Sequence, residues 1–242
     1  MTQNIYDDQS FFRAYSQLPR SRHGLDGAPE WPTLRTMLPD IRDRAVLDLG
    51  CGYGWFCRWA REHGAAQVTG IDVSEMMLAR AGSMTNDAAI TYLREDLEII
   101  RLKANSYSLV YSSLTFHYLK NLEDLFREVR SALVPRGRLV FSVEHPIFTA
   151  PKNPDWIEEV SGRKTWPVNG YLHEGARSTD WLAKGVSKQH RTIATYIGHL
   201  LRQGFRLTCV QEWGPSAEQI AAQPILAVER ERPAFLLIAA EQ

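Results

Sequence analysis

The stretch Val46-Leu47-Asp48-Leu49-Gly50-Cys51-Gly52-Tyr53-Gly54 leaves this chain little freedom of architecture. A short apolar strand runs into alternating glycines, and a helical pattern of apolar residues (Trp55, Phe56, Trp59, Ala60) follows at once. Glycines at a strand-to-helix turn allow backbone conformations closed to other residues and let a ligand approach the main chain. The helix start behind them presents unpaired N–H groups and partial positive charge, suited to a carboxylate or a phosphate. A second strand, Gln67-Val68-Thr69-Gly70-Ile71, ends in Asp72, 18 residues beyond Gly54. That is close to the spacing at which a βαβ unit delivers a carboxylate to ribose hydroxyls.

The alternation continues down the chain. Strands are expected at Ala45–Leu49, Gln67–Ile71, Ala89–Arg94, Ser108–Ser112 and Arg138–Val143. Helices between them span about Tyr53–His63, a segment capped by Ser74 and ended by Gly82, and a segment from near Asn121 that Pro135-Arg136-Gly137 stops. Such alternation implies a parallel sheet with helices on both faces, its ligands lying beyond the carboxyl ends of the strands. A helix over Thr192–Arg202, a strand over Phe205–Trp213, a short helix at Ser216–Ala222 and a strand at Phe235–Ala240 close the chain.

Two segments break the rhythm. Residues 1–43 carry Tyr6, Phe11, Phe12 and Tyr15 at loosely helical spacing; Leu18-Pro19-Arg20-Ser21-Arg22 interrupts, and a short helix over Ala28–Leu38 follows. The aromatic stripe either packs on the core or forms a lid. Residues 146–188 mix prolines and glycines with Trp156, Trp166, Tyr171 and Trp181. A long non-periodic stretch inside a domain is usually functional, and its tryptophans argue against disorder. It reads as an ordered cap over the active-site mouth, with a dimerisation flap as the alternative. The remainder, 44–242, reads as one domain.

With 242 residues, 28 basic and 28 acidic, the chain has no net charge to favour a polyanion. Cys51, Cys57 and Cys209 lack metal-site spacing. The start, Met1–Ser10, is polar and acidic, unlike a secretory signal. No apolar run approaches the ~20 residues of a membrane span. The expectation is a cytoplasmic protein with no metal, no nucleic-acid partner and no membrane span, its oligomeric state (a homodimer included) left open.

A dinucleotide fingerprint, G-x-G-x-x-G or a terminal Ala, fails here, since the third small position counted from Gly50 holds Trp55. The acid followed by G-x-G-x-G, Asp48 to Gly54, instead resembles the nucleotide-binding motif of class I S-adenosylmethionine (SAM)-dependent methyltransferases. The resemblance covers about residues 44–145 and the closing strands. Leu133-Val134-Pro135-Arg136-Gly137 resembles that family's L-x-P-G-G turn, with Arg136 in place of the first glycine. Within the family, Val143-Glu144-His145-Pro146 and the run from His190 to Tyr196 look most like the small-molecule group that includes ubiquinone-pathway enzymes.

This resemblance implies an α/β, Rossmann-like, doubly wound seven-stranded sheet, mostly parallel with the last strand antiparallel, and an insertion after strand five. It implies SAM as methyl donor, S-adenosylhomocysteine as product, and a small-molecule acceptor methylated by in-line SN2 displacement. Asp48, Gly50, Cys51, Gly52 and Gly54 would form the cofactor turn, and Asp72 would grip the ribose. Val73 and Met77 would contact the adenosine, while Asp96 and Leu97 would meet the adenine; a solvated loop carboxylate is the alternative for Asp96. Ser112 would begin the segment beside the methyl donor. Tyr15 and Arg20 would meet the cofactor carboxylate if the N-terminal segment is a lid.

An oxygen acceptor usually requires a base titrating near working pH, and histidine is the readiest candidate. His145 after strand five is preferred, with His117 and His190 behind it. A phenolate or carboxylate acceptor would need no base. The rival readings are a non-catalytic SAM-binding scaffold, a nicotinamide-dependent oxidoreductase, and a nucleic-acid or protein methyltransferase. No Asn/Asp-Pro-Pro-Tyr/Phe motif follows strand four.

Overall fold

The computed structural model describes residues 3–242, so Met1 and Thr2 of the N-terminal segment lie outside the described residues. That segment holds α1 (Gln9–Tyr15), α2 (Pro19–His23) and α3 (Trp31–Thr36). The alternating part follows as β1 (Ala45–Leu49), α4 (Trp55–Glu62), β2 (Gln67–Asp72), α5 (Glu75–Ser83), β3 (Ile90–Arg94), β4 (Tyr107–Ser113), α6 (Leu122–Ala132) and β5 (Leu133–Glu144). Next come α7 (Pro146–Thr149), the hairpin β6 (Ile157–Glu158) and β7 (Lys164–Thr165), and the hairpin β8 (Gly175–Trp181) and β9 (Ala183–His190). The chain closes with α8 (Ile193–Arg202), β10 (Arg206–Trp213), α9 (Ala217–Ala222) and β11 (Phe235–Glu241).

The main sheet has seven strands in the order β10-β11-β5-β4-β1-β2-β3. β11 runs antiparallel to both its neighbours, and the other pairs are parallel. The sheet therefore matches the Rossmann-like expectation. Its central strands read as continuous apolar runs because both faces are covered. Leu47, Val110, Phe141, Leu236 and Ile238 enter one core with Phe126 and Val129 of α6 and Leu200 of α8. Val46, Leu109, Val140 and Leu237, one position out of phase, enter the other with Trp31, Leu34, Phe56 and Ala60. β1 lies between β2 and β4, so the chain reverses direction across the sheet there. The crevice beyond these strand ends is where such sheets bind ligands.

Pro19 interrupts the helical pattern as expected: α1 ends at Tyr15, and Pro19 opens α2 in its first turn, where its missing N–H is harmless. One local expectation changes. Pro135-Arg136-Gly137 was expected to separate helix from strand, yet β5 begins at Leu133. Its pairing jumps from Tyr107↔Leu133 to Leu109↔Arg138, so a bulge absorbs the proline and the positive φ of Arg136 (65°). Among the described residues, no helix is long and apolar enough to cross a membrane.

Candidate active site

The turn after β1 has positive φ at Gly50 (76°), Gly52 (52°) and Gly54 (69°), the conformation that glycine adopts without strain. The three glycines have different tasks. A Cβ on Gly50 would lie 2.1 Å from Thr115 Oγ1, and one on Gly54 would lie 2.0 Å from the Tyr92 hydroxyl oxygen. A Cβ on Gly52 would meet nothing within 4 Å. Two glycines thus permit close packing, while Gly52 faces open space.

Asp72 closes β2 beside this turn. Its Oδ2 accepts the Gly52 N–H at 2.9 Å, and its Oδ1 accepts the Ser74 N–H at 2.9 Å. Burial pushes the carboxyl above its ordinary value, while these backbone donors favour the ionised form. Ser74 in turn caps α5 through the Met77 N–H. The carboxylate is therefore fixed from both sides.

A cavity of about 280 Å³ opens at these strand ends, lined by Gly50, Gly52, Asp72, Val73, Met77, Asp96 and Leu97 among others. Tyr6, Tyr15, His117, Tyr118, Glu144 and Trp181 also line it. A smaller cavity, about 90 Å³, shares Tyr15, Arg20, Gly50 and Gly52 and reaches Asp48, Cys51 and Glu30. Arg20 donates through Nη2 to both carboxylate oxygens of Glu30, at 3.0 and 3.2 Å. Most of the expected cofactor residues thus come together around two connected spaces. Gly54 does not: it is a packing position.

Ser112 is turned away. Its hydroxyl is fully buried and donates to the Leu49 carbonyl at 2.7 Å, tying β4 to β1. Ser113, on the opposite side of the strand by simple alternation, lines the cavity instead.

The histidines are redistributed as well. His145 does not line the cavity: Nδ1 accepts the Ile147 N–H at 3.0 Å and caps α7, leaving Nε2 to donate to Glu212 at 2.9 Å. His190 is equally enclosed, with Nε2 donating to the Tyr171 carbonyl and Nδ1 facing the Thr149 hydroxyl, both at 2.8 Å. Burial lowers the pKa of each, which keeps these rings neutral supports. Only His117 reaches the cavity. Its Nδ1 accepts the Glu144 N–H at 3.4 Å, so the proton of the neutral ring sits on Nε2. Burial lowers its pKa to about 4, outweighing nearby Glu144. Of the three, only His117 lines the cavity, and its neutral ring carries the proton on Nε2 while Nδ1 is engaged by the Glu144 N–H.

Ser113 and Tyr118 belong to the segment, begun by Ser112, that was expected beside the methyl donor, and both line the cavity; the residues given no site role from the sequence are Tyr6, Glu144, Trp181 and Lys188. A signal existed for Glu144, which ends a strand on the ligand side. None existed for Lys188, which β9 delivers from 44 residues away in sequence.

Asp48 supplies a proton-linked test. It is 2% exposed, and burial raises its carboxyl to about 7 against a hydrogen bond from Cys57 Sγ at 3.4 Å. The folded protein then binds a proton that the unfolded chain releases near the ordinary carboxylate value. Asp48 accordingly makes stability fall as pH rises up to about 7, by at most roughly 1.4 kcal/mol per pH unit. Lowered histidines such as His117 act oppositely between about 4 and their ordinary value. Urea unfolding of Asp48→Asn against the wild type isolates the first contribution: the variant should gain relative stability as pH rises from 5 to 7.5. A pH-independent difference would show that Asp48 is ionised throughout.

Comparisons with known proteins fit this geometry. A family model described as a methyltransferase domain matches residues 47–141. A solved structure of an S-adenosylmethionine dependent methyltransferase from Mesorhizobium loti is 53% identical, covers 90% of this chain and all of its own, and superposes with a TM-score of 0.88. This chain belongs to the SAM-dependent methyltransferases. An uncharacterised protein of Haemophilus influenzae is 31% identical to this methyltransferase, over 86% of this chain and 85% of the relative. A malonyl-[acyl-carrier protein] O-methyltransferase of Enterobacter lignolyticus is 38% identical over 45% of the chain, a match spanning 42% of that protein's length. The cofactor of the methyltransferase is SAM, and the open face of Gly52 beside the fixed carboxylate of Asp72 suits a nucleoside held against the main chain.

Proposed function

We propose that this methyltransferase transfers a methyl group to a small, flat, uncharged acceptor by in-line displacement, within the larger cavity. The observation that carries the reading is the Gly52–Asp72 cradle opening into a space with aromatic walls. Asp72 would accept the ribose hydroxyls, Val73, Met77 and Leu97 would flank the adenosine, and Asp96 would lie at the adenine. Tyr15 and Arg20, at the junction of the two cavities, would meet the amino-acid end. Bound there, SAM supplies a methyl carbon activated by its sulfonium.

The chain's own contribution is alignment and exclusion of water. Tyr6, Tyr15, Tyr118 and Trp181 would hold the acceptor against the donor, and orientation alone contributes up to ~7–11 kcal/mol in well-aligned reactions. Aromatic faces also favour a neighbouring cation by ~0.5–2 kcal/mol. Tyr6 and Tyr118 join hydroxyl to hydroxyl at 3.2 Å, and burial raises both above the usual phenol value, so they stay protonated. No histidine base is needed for an acceptor whose proton leaves after transfer.

The E. lignolyticus relative is named for a malonyl carrier substrate, a carboxylate. A carboxylate suits this cavity poorly, because it would face Glu144, which already holds Lys188, while Arg20 would be taken up by Glu30 and the cofactor's amino-acid end. The N-terminal helices and the segment after β5 act, in this reading, as lid and cap, through Tyr15 and Trp181 respectively.

Thermal unfolding and calorimetry test the reading. S-adenosylhomocysteine should raise the melting temperature in a dose-dependent way that continues past saturation, while NAD should not. Asp72→Ala should weaken its binding by roughly 1–3 kcal/mol, through loss of charge-assisted hydrogen bonds. Unchanged affinity in the variant would remove Asp72 from the site. Incubating labelled SAM with metabolite extract separates an enzyme from a SAM-binding scaffold: the scaffold yields no methylated product.

A further inference from the structure

Glu144 ends β5 at the wall of the larger cavity, and Lys188 reaches it from β9. Lys188 Nζ lies 2.5 Å from Glu144 Oε1, with side-chain exposures of 3% and 16%. The ammonium also sits 5.0 Å from the centre of the Trp181 ring and 6.0 Å from that of Tyr118. Glu144 Oε2 is buried and has no hydrogen-bond partner among the described residues. Buried polar atoms are nearly always paired, and an unpaired carboxylate oxygen carries its desolvation cost uncompensated. Here that atom belongs to a residue on the wall of a ligand-sized space.

We propose that Glu144 anchors the methyl acceptor: Oε2 takes a hydrogen bond from a neutral O–H or N–H on a flat molecule, while Lys188 holds Oε1. The proposal deepens the small-molecule reading above and rests on it. Charge decides the class of donor. Lys188 already neutralises Glu144, so a cationic acceptor gains little there. An anionic one would face the Glu144 carboxylate, while Arg20, paired with Glu30 through Nη2, would stand at the cofactor's amino-acid end and Arg191 does not line the cavity. A neutral donor both satisfies Oε2 and adds no charge. The ring-lined walls, Tyr6, Tyr118 and Trp181, set the flat shape. Lys188 and Trp181 both come from the segment after β5, so that segment completes the acceptor end instead of merely covering it. Lys188 is a positioning residue, acting through the carboxylate it fixes.

The test is calorimetric binding of para-cresol and of its methyl ether, para-methylanisole, to protein saturated with S-adenosylhomocysteine. The two probes share ring and shape and differ in the donor. Wild type should bind the phenol about ten- to a hundredfold more tightly, the value of one hydrogen bond to a charged group. In Glu144→Gln, Lys188 keeps the amide oxygen and the amide N–H₂ faces the acceptor, so the preference should vanish while S-adenosylhomocysteine affinity stays unchanged. Equal binding of the probes to wild type, binding of neither, or a preference surviving in the variant would each overturn the proposal. If the variant loses S-adenosylhomocysteine, Glu144→Ala replaces it and the same comparison decides. Failure of wild type to bind S-adenosylhomocysteine at all would instead bring down the proposed function, which this design separates from failure of the anchor.

Discussion

Gly52→Ala is expected to weaken cofactor binding about 100-fold and leave the fold standing, whereas Gly50→Ala should damage the fold itself. Both positions have positive φ, 52° and 76°, so either alanine costs about 1–2 kcal/mol in backbone conformation. There the likeness ends. The new methyl at Gly52 meets nothing within 4 Å and enters the space where a nucleoside approaches the main chain. S-adenosylhomocysteine affinity should fall by about 100-fold, the upper end of what overpacking costs. The melting temperature should fall by only about 2–8 °C. At Gly50 the methyl would overlap Thr115 at Oγ1 (2.1 Å), Cγ2 (2.5 Å) and Cβ (2.7 Å). Because the contact reaches Thr115 Cβ, rotating the side chain does not relieve it, and the backbone after β4 must move. The total cost should reach about 3–5 kcal/mol, a drop of roughly 10 °C or more. Calorimetric scans with and without S-adenosylhomocysteine check both. Equal stabilities for the two variants would refute the division of labour within the turn.

The second large effect is expected at Arg20. Glu30 is 1% exposed, and both of its carboxylate oxygens accept hydrogen bonds from Arg20 Nη2. Arg20→Met strands that carboxylate in the interior, and breaking such a pair from one side costs about 3–5 kcal/mol. Arg20→Met combined with Glu30→Gln removes both charges and should recover most of the loss, since a buried pair contributes little net stability. Urea unfolding of the single and double variants measures this directly. A single-variant loss below about 1 kcal/mol would mean that water reaches Glu30. The double variant has a second use, because it keeps the fold while deleting the guanidinium. Its S-adenosylhomocysteine affinity therefore reports whether Arg20 meets the cofactor, apart from what it does for Glu30.

What was legible beforehand follows a physical pattern. The turn from Asp48 to Gly54 and the acid at Asp72 could be read because backbone conformation and strand length constrain residue type locally. The element bounds of β1 came out as expected for the same reason. Ser112 was misplaced by one position, which in a strand means the opposite face. The histidines failed for a different reason. His145 and His190 sit beside the ligand edge in sequence, but a ring with two nitrogens turns wherever partners exist. Ile147, Glu212, Tyr171 and Thr149 supply those partners inside the protein.

By itself, then, the sequence determined the alternating sheet, the glycine turn and the carboxylate beside it, since each rests on short-range periodicity or on a backbone that only glycine tolerates. The tertiary structure alone decided which of Gly50, Gly52 and Gly54 faces open space, that His145 and His190 are supports, and that Lys188 meets Glu144. Those outcomes depend on contacts between segments distant in the chain, where packing and the pairing of buried charge, not local propensity, choose the partner.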